Sequence, residues 1–219
     1  MLYHLLYSLH TTSGVFNVFR YITFRAAMAS LLALILSFVL GPPLIRFLSS
    51  NRMAQPIRVD GPRSHHDKKG TPTMGGALII LALCLATLAL ADLTNPYVQT
   101  ALFVTLGFAG IGFVDDVLKL SRQTSTGLSG PTKLFLQFLF ALAAILFLFT
   151  LPNFTTALSF PFLKNLRPDL GWAYVPFATL VVVGASNAVN LTDGLDGLAI
   201  GPVTTAAGKI GRASCRERV

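Results

Sequence analysis

Charge is scarce in this chain: Asp, Glu, Lys and Arg make up only 12% of it. Acid is scarcest, with nine such residues, and the single glutamate is Glu217. Against 53% hydrophobic residues, that poverty excludes an ordinary soluble domain and matches an integral membrane protein. There are only two cysteines. Cys84 falls in an apolar run, where it packs as a small hydrophobic residue, and Cys215 lies in an atypical tail. His65 and His66 are adjacent, so they do not form a spaced metal pair and read as solvated loop residues. The first 23 residues lack a basic n-region and a small-residue cleavage site, so they are not expected to act as a signal peptide; their Tyr, Phe, Leu and His suit the outer membrane interface. No Ser-His-Asp or Cys-His arrangement, internal repeat or soluble domain is present.

What is abundant is long apolar sequence. Runs at 26–47, 74–91, 98–118, 133–151 and 174–189 are expected to cross a bilayer as helices, with a sixth starting after Leu198. Lys and Arg set the orientation. The first and third inter-helix loops carry nine (Arg46, Arg52, Arg58, Arg63, Lys68, Lys69, Lys119, Arg122 and Lys133), against four in the N-terminal segment and the other loops. The first and third loops are therefore expected in the cytoplasm and the N-terminus outside. The net charge of +8 suits anionic lipid or phosphate. Basic residues confined to short loops between spans argue against nucleic acid. Residues 152–172, broken by Pro161, Pro168 and Gly171, read as an extramembrane hairpin, and residues 121–132 as a polar loop.

Polar residues concentrate in three places, all expected on the cytoplasmic side. In GASNAVNLTDGLDG (184–197), Asn187, Asn190 and Asp193 recur every three residues, which keeps them within about 120° on a helix face. Gly194 and Gly197 favour a break, leaving Asp196 on a turn. Such groups at the end of a membrane helix are costly to desolvate unless something satisfies them. No Lys or Arg lies within ten residues of the stretch, so the partner comes from another element or a ligand. At the end of the third span stand Asp115 and Asp116, adjacent and near the negative pole of the helix dipole. Lys119, three residues after Asp116, can pair with it, and a divalent cation would neutralise the pair more fully. The loop 49–76 brings Lys68 and Lys69 beside Gly/Pro turns that let a phosphate approach the backbone. Carboxylates without matching base at a membrane surface suit Mg²⁺ held together with phosphate oxygens, and hence phosphoryl transfer to or from a lipid.

The same residues carry a resemblance. DGPRSHHDKKGTPTMGG (60–76), GFVDDVLK (112–119) and NAVNLTDGLDGLAI (187–200) closely resemble the bacterial phospho-N-acetylmuramoyl-pentapeptide transferases, and FNVFRYITFRA (16–26) is similar as well. The resemblance implies an all-α polytopic membrane fold of roughly ten helices, about five of them present here. The implied reaction moves phospho-MurNAc-pentapeptide from UDP-MurNAc-pentapeptide to undecaprenyl phosphate, releases UMP and depends on Mg²⁺. Its place is the bacterial plasma membrane, with the active site on the cytoplasmic face and a homodimer allowed. By position, Asp115, Asp116 and Lys68 match catalytic residues. Asn187, Asn190, Asp193, Gly194, Leu195, Asp196, Thr73 and Lys119 match substrate-binding ones. Asp115, Asp116 and Asp193 match metal ligands, with the family's principal metal aspartate in a C-terminal part absent here. Residues 1–208 are expected to be the membrane-embedded transferase domain, and 209–219, which the resemblance read from these motifs does not reach, to be an assembly artefact. A sister transferase for another UDP-amino sugar would share the Asp motifs. A transporter would need its Asn/Asp cluster at bilayer depth, which the flanking loops argue against.

Overall fold

The computed structural model describes residues 2–50, 74–122, 127–152, 154–160, 166–192 and 198–216. Among these the regular structure is helical, apart from one isolated antiparallel bridge. The helices are α1 (Leu2–Ser8), α2 (Ile22–Ser50), α3 (Gly76–Leu90), α4 (Pro96–Arg122), α5 (Gly130–Phe149), α6 (Tyr174–Thr192) and α7 (Ile200–Arg216). Short 3₁₀ turns cover Leu9–Thr11, Gly14–Arg20 and Gly171–Ala173. The chain divides into two compact units, Met1–Gln137 and Phe138–Val219.

Among the described residues, four stretches are long and apolar enough to cross a membrane: Ile22–Ser50, Pro96–Arg122, Gly130–Phe149 and Gly171–Thr192. The fifth expected span, at 74–91, is corrected to the 15 residues of α3, which reach only about 22 Å at ~1.5 Å per residue. Its start is delayed because Met74 is left-handed, at φ 72°. Its end is early because Ala91 turns extended. Conversely α4 outruns its expected end at Leu118, because Lys119 and Arg122 occupy its last turn, where cations complement the dipole. Asn95 and Pro96 start that helix together: the Asn95 side chain accepts the Tyr97 N–H at 2.9 Å, and proline has no N–H to leave unpaired there.

In the first unit α2 and α3 pack along one another. Ala82, Ala86 and Leu90, spaced by four, are buried on one face of α3, and the small alanines permit close approach. Gly41 is buried on α2, where an added Cβ would touch Leu78 at 3.6 Å. The N-terminal segment folds back on this pair where α2 begins and α3 ends. Arg25 stacks over the Tyr3 ring at 4.0 Å, and His4 Nε2 stands 3.3 Å from Asp92 Oδ1.

Asp92 also accepts from Thr94, whose hydroxyl lies 2.6 Å away. That hydrogen bond, then the Thr94 N–H and the His4 and Arg25 charges, hold its carboxyl below the usual carboxylate range against a smaller opposing effect of burial. The docked carboxyl therefore binds a proton more weakly than the undocked one. Its contribution to docking is whole above the ordinary carboxylate pKa and is lost as pH falls through the depressed value. Amide exchange at residues 3–20 is expected to quicken over that acid range, and Asp92→Asn to flatten the dependence. An unchanged profile in Asp92→Asn would contradict it.

In the second unit Ile145, Val175 and Ala178 form a small core covered by Leu142, Phe149 and Tyr174. Trp172 rests against Phe149, with ring centroids 4.5 Å apart. The hairpin expected at 152–172 is present as the bridge between Ala157 and Asp169, with Leu158 N–H donating to the Pro168 carbonyl at 3.0 Å. Gly171 follows at φ 49°, a conformation that favours glycine, and donates its N–H to Asp169.

Candidate active site

The carboxylate pair sits on α4 about two turns before its end, so the dipole opposes it less than the sequence suggested. The two aspartates differ. Asp115 is buried at 8% exposure. Lys119 Nζ lies 2.6 Å from its Oδ2, and Leu128 donates its backbone N–H to Oδ1 at 2.7 Å. Asp116 has a side chain 33% exposed and one oxygen 3.6 Å from the same ammonium. Lys119 thus pairs more closely with Asp115 than with Asp116, the partner expected from spacing. The i,i+4 step, with the acid on the N-terminal side, is the better helical geometry.

Leu128 is placed by the start of α5. Ser129 caps that helix: its Oγ accepts the Thr132 N–H at 3.3 Å and lies 2.6 Å from the Thr132 hydroxyl. The turn at 127–129 is thereby pinned against α4, 13 residues from Asp115 in sequence.

Two cavities meet the pair from different sides. One, of about 590 Å³, is lined by Asp115, Lys119, Arg122, Gly127, Leu128, Ser129, Gly130 and Lys133. Among these described residues three cations accompany one carboxylate, so the cavity favours an anion. The other, of about 670 Å³, lies between α3 and α4. Its wall is made of residues such as Ile80, Cys84, Leu106, Gly110 and Phe113, and Asp116 is the one charged residue among the described residues that line it. An apolar volume ending at a carboxylate beside basic groups fits an amphiphile with a phosphate head.

Asn187 and Asn190 fall on the last turns of α6, as the three-residue spacing implied. The Asn187 amide donates to the Val183 carbonyl at 2.9 Å, and Asn190 is exposed. Lys68, Thr73, Asp193, Gly194, Leu195 and Asp196 lie outside the described residues. Oxygen donors suit a hard divalent cation, and Asp116, less engaged than Asp115, fits one better. Among the described residues no three His, Cys, Asp or Glu side chains cluster closely enough to hold a metal; the third expected donor, Asp193, is outside them. Arg122, Gly127 and Leu128 were not singled out for the site, because contact across a turn leaves no periodic signal.

The helical, apolar architecture of the described residues defines a polytopic membrane protein, with an acidic pair joined to a lysine near the end of α4. The chain belongs to glycosyl transferase family 4, whose model matches residues 98–215. Residues 68–80 match the phospho-N-acetylmuramoyl-pentapeptide-transferase signature 1. Curated relatives carry that enzyme's name. The one from Syntrophus aciditrophicus is 56% identical over 205 residues, covering 94% of this chain and 57% of the relative. The one from Pelobacter propionicus is 55% identical, covering 94% and 58%. The one from Desulfatibacillum aliphaticivorans is 58% identical, covering 95% and 58%. The chain thus spans less than two thirds of the length of the curated relatives it matches.

Proposed function

We propose that this chain forms part of a transferase that moves phospho-MurNAc-pentapeptide from UDP-MurNAc-pentapeptide to undecaprenyl phosphate in the bacterial plasma membrane. The observation that carries this reading is the apolar cavity ending at Asp116, with Lys119 and the basic cavity adjoining. A polyprenyl tail fits the first and phosphate the junction. In the net reaction the bond between the two donor phosphates breaks, a new one forms to an oxygen of the lipid phosphate, and UMP leaves. The carboxylate pair and Lys68 serve the reacting phosphates. Lys119, Thr73, Asn187, Asn190 and the 193–196 segment, with Asp193, Gly194, Leu195 and Asp196, bind the donor. Asp115, Asp116 and Asp193 would hold Mg²⁺, which would supply charge neutralisation for the leaving group. The site faces the cytoplasm and the N-terminus the outside, from the distribution of Lys and Arg.

The test uses a fusion of this chain, joined after Gly208 to the remaining length of one of its relatives, in lipid vesicles. UMP release is expected only with both undecaprenyl phosphate and UDP-MurNAc-pentapeptide, and is expected to stop in excess chelator. Faster release from another UDP-amino sugar would point to a sister transferase. Undiminished release under chelation would remove the metal.

A further inference from the structure

The hairpin between α5 and α6 has two unlike faces. Ala157 bridges Asp169, Leu158 donates its N–H to the Pro168 carbonyl at 3.0 Å, and Leu170 donates to Thr156 at 3.3 Å. Side chains alternate across such a pair. One alternate set is Leu158, Phe160, Leu166, Pro168 and Leu170; the other is Ala157, Ser159, Arg167 and Asp169, with the Thr156 hydroxyl turned to the Asp169 carboxylate. The outer members of the apolar set are open, Phe160 at 44% exposure and Leu166 at 49%. Trp172, the chain's only tryptophan, is 74% exposed.

Position decides what covers the apolar face. Phe154 follows the end of α5 by five residues, a reach of at most ~18 Å. Leu170 directly precedes the membrane-crossing stretch Gly171–Thr192. The base of the hairpin therefore stands where two spans meet the bilayer surface. Aromatic rings gather at that level, Trp172 on Phe149 at 4.5 Å and Phe154 edge-on to Tyr174 at 5.3 Å. Two strands alone leave outward N–H and C=O groups unpaired, which hydrocarbon does not tolerate, so the hairpin goes no deeper than the interface. In water a lone two-stranded hairpin is marginal without something against its apolar face.

We propose that this hairpin is a membrane-interface anchor: Phe160, Leu166 and Trp172 insert among the uppermost acyl segments of the phospholipids, while Ser159, Arg167 and Asp169 face headgroups and water. Lipid is the occupant because both strands run directly into spans, which themselves expose Leu146, Phe147 and Phe177 close to the same ends. The anchor does not depend on the transferase reading.

The experiment puts the chain in vesicles of phosphatidylethanolamine and phosphatidylglycerol and reads tryptophan fluorescence. Bromine is carried on the acyl chains either close to the headgroup or at the far end, and iodide is supplied on both sides of the membrane. Trp172 is expected to emit at shorter wavelength than free tryptophan, and to lose most of its emission to shallow bromine and little to deep bromine. Phe160→Trp/Trp172→Phe should behave likewise. Ser159→Trp/Trp172→Phe should be quenched by iodide and spared by both brominated lipids. Iodide quenching of the Phe160→Trp reporter, with bromine ineffective, places the face in water and overturns the proposal. Shielding from both quenchers means that a second copy or another protein segment covers the face, which overturns it equally. Equal bromine quenching of the reporters at 159 and 160 erases the difference between the faces and does the same. Should the Phe160→Trp variant not accumulate, Leu166→Trp/Trp172→Phe carries the identical test.

Discussion

Asp116→Asn in the fusion is expected to lower turnover about 10²–10³-fold, the usual cost of losing one charge placed for a transition state. Accumulation in membranes should be unchanged, because the side chain is one-third exposed and its single described ion pair is the long one, at 3.6 Å. Surface pairs of that kind contribute little to stability. The carboxylate's value is therefore in what it meets, a lipid phosphate or the cation shared with it. The measurement is kcat for UMP release, corrected for the amount of protein in the vesicles. Turnover within a fewfold of the parent would remove Asp116 from the reaction.

Gly112→Leu is expected to raise the KM for undecaprenyl phosphate about 10²-fold while leaving the KM for the donor nearly unchanged. Gly112 lies one turn before Asp116 and lines the apolar cavity. An added Cβ there meets nothing within 4 Å, so the substitution fills space without straining the helix. Displacing about four methylene equivalents of lipid at ~0.8 kcal/mol each loses ~3 kcal/mol of binding. Equal rises for both substrates would mean the cavity is not where the lipid lies. An unchanged acceptor KM would mean the same.

The spans were legible because apolar runs report burial in lipid directly, and the carboxylate pair because two adjacent acids are conspicuous where charge is rare. Asn187 and Asn190 share a helix end, as their spacing said. What escaped was determined by tertiary contact or backbone conformation. Lys119 turned to Asp115 because the i,i+4 step and the buried side of α4 favour it. Gly127 and Leu128 read as plain polar loop, since a bond across 13 residues has no signature in spacing. Met74 took the left-handed conformation although glycine follows it directly, and so shortened α3 in a way hydropathy does not register.

The contact between His4 and Asp92 sets an order of events during synthesis. Asp92 follows His4 by 88 residues, so at ~5–20 residues per second it leaves the ribosome on the order of 4–18 s later. Tyr3 can stack on Arg25 as soon as α2 exists, whereas the contact between His4 and Asp92 must wait until α3 has been made. The N-terminal segment is thus held at first by its contacts with the start of α2, the Tyr3–Arg25 stack and the edge-on Phe19–Phe24 pair, and fastened to Asp92 only once the second hydrophobic helix is complete. A lesion at His4 would leave insertion of α2 untouched and show itself as a late failure of assembly.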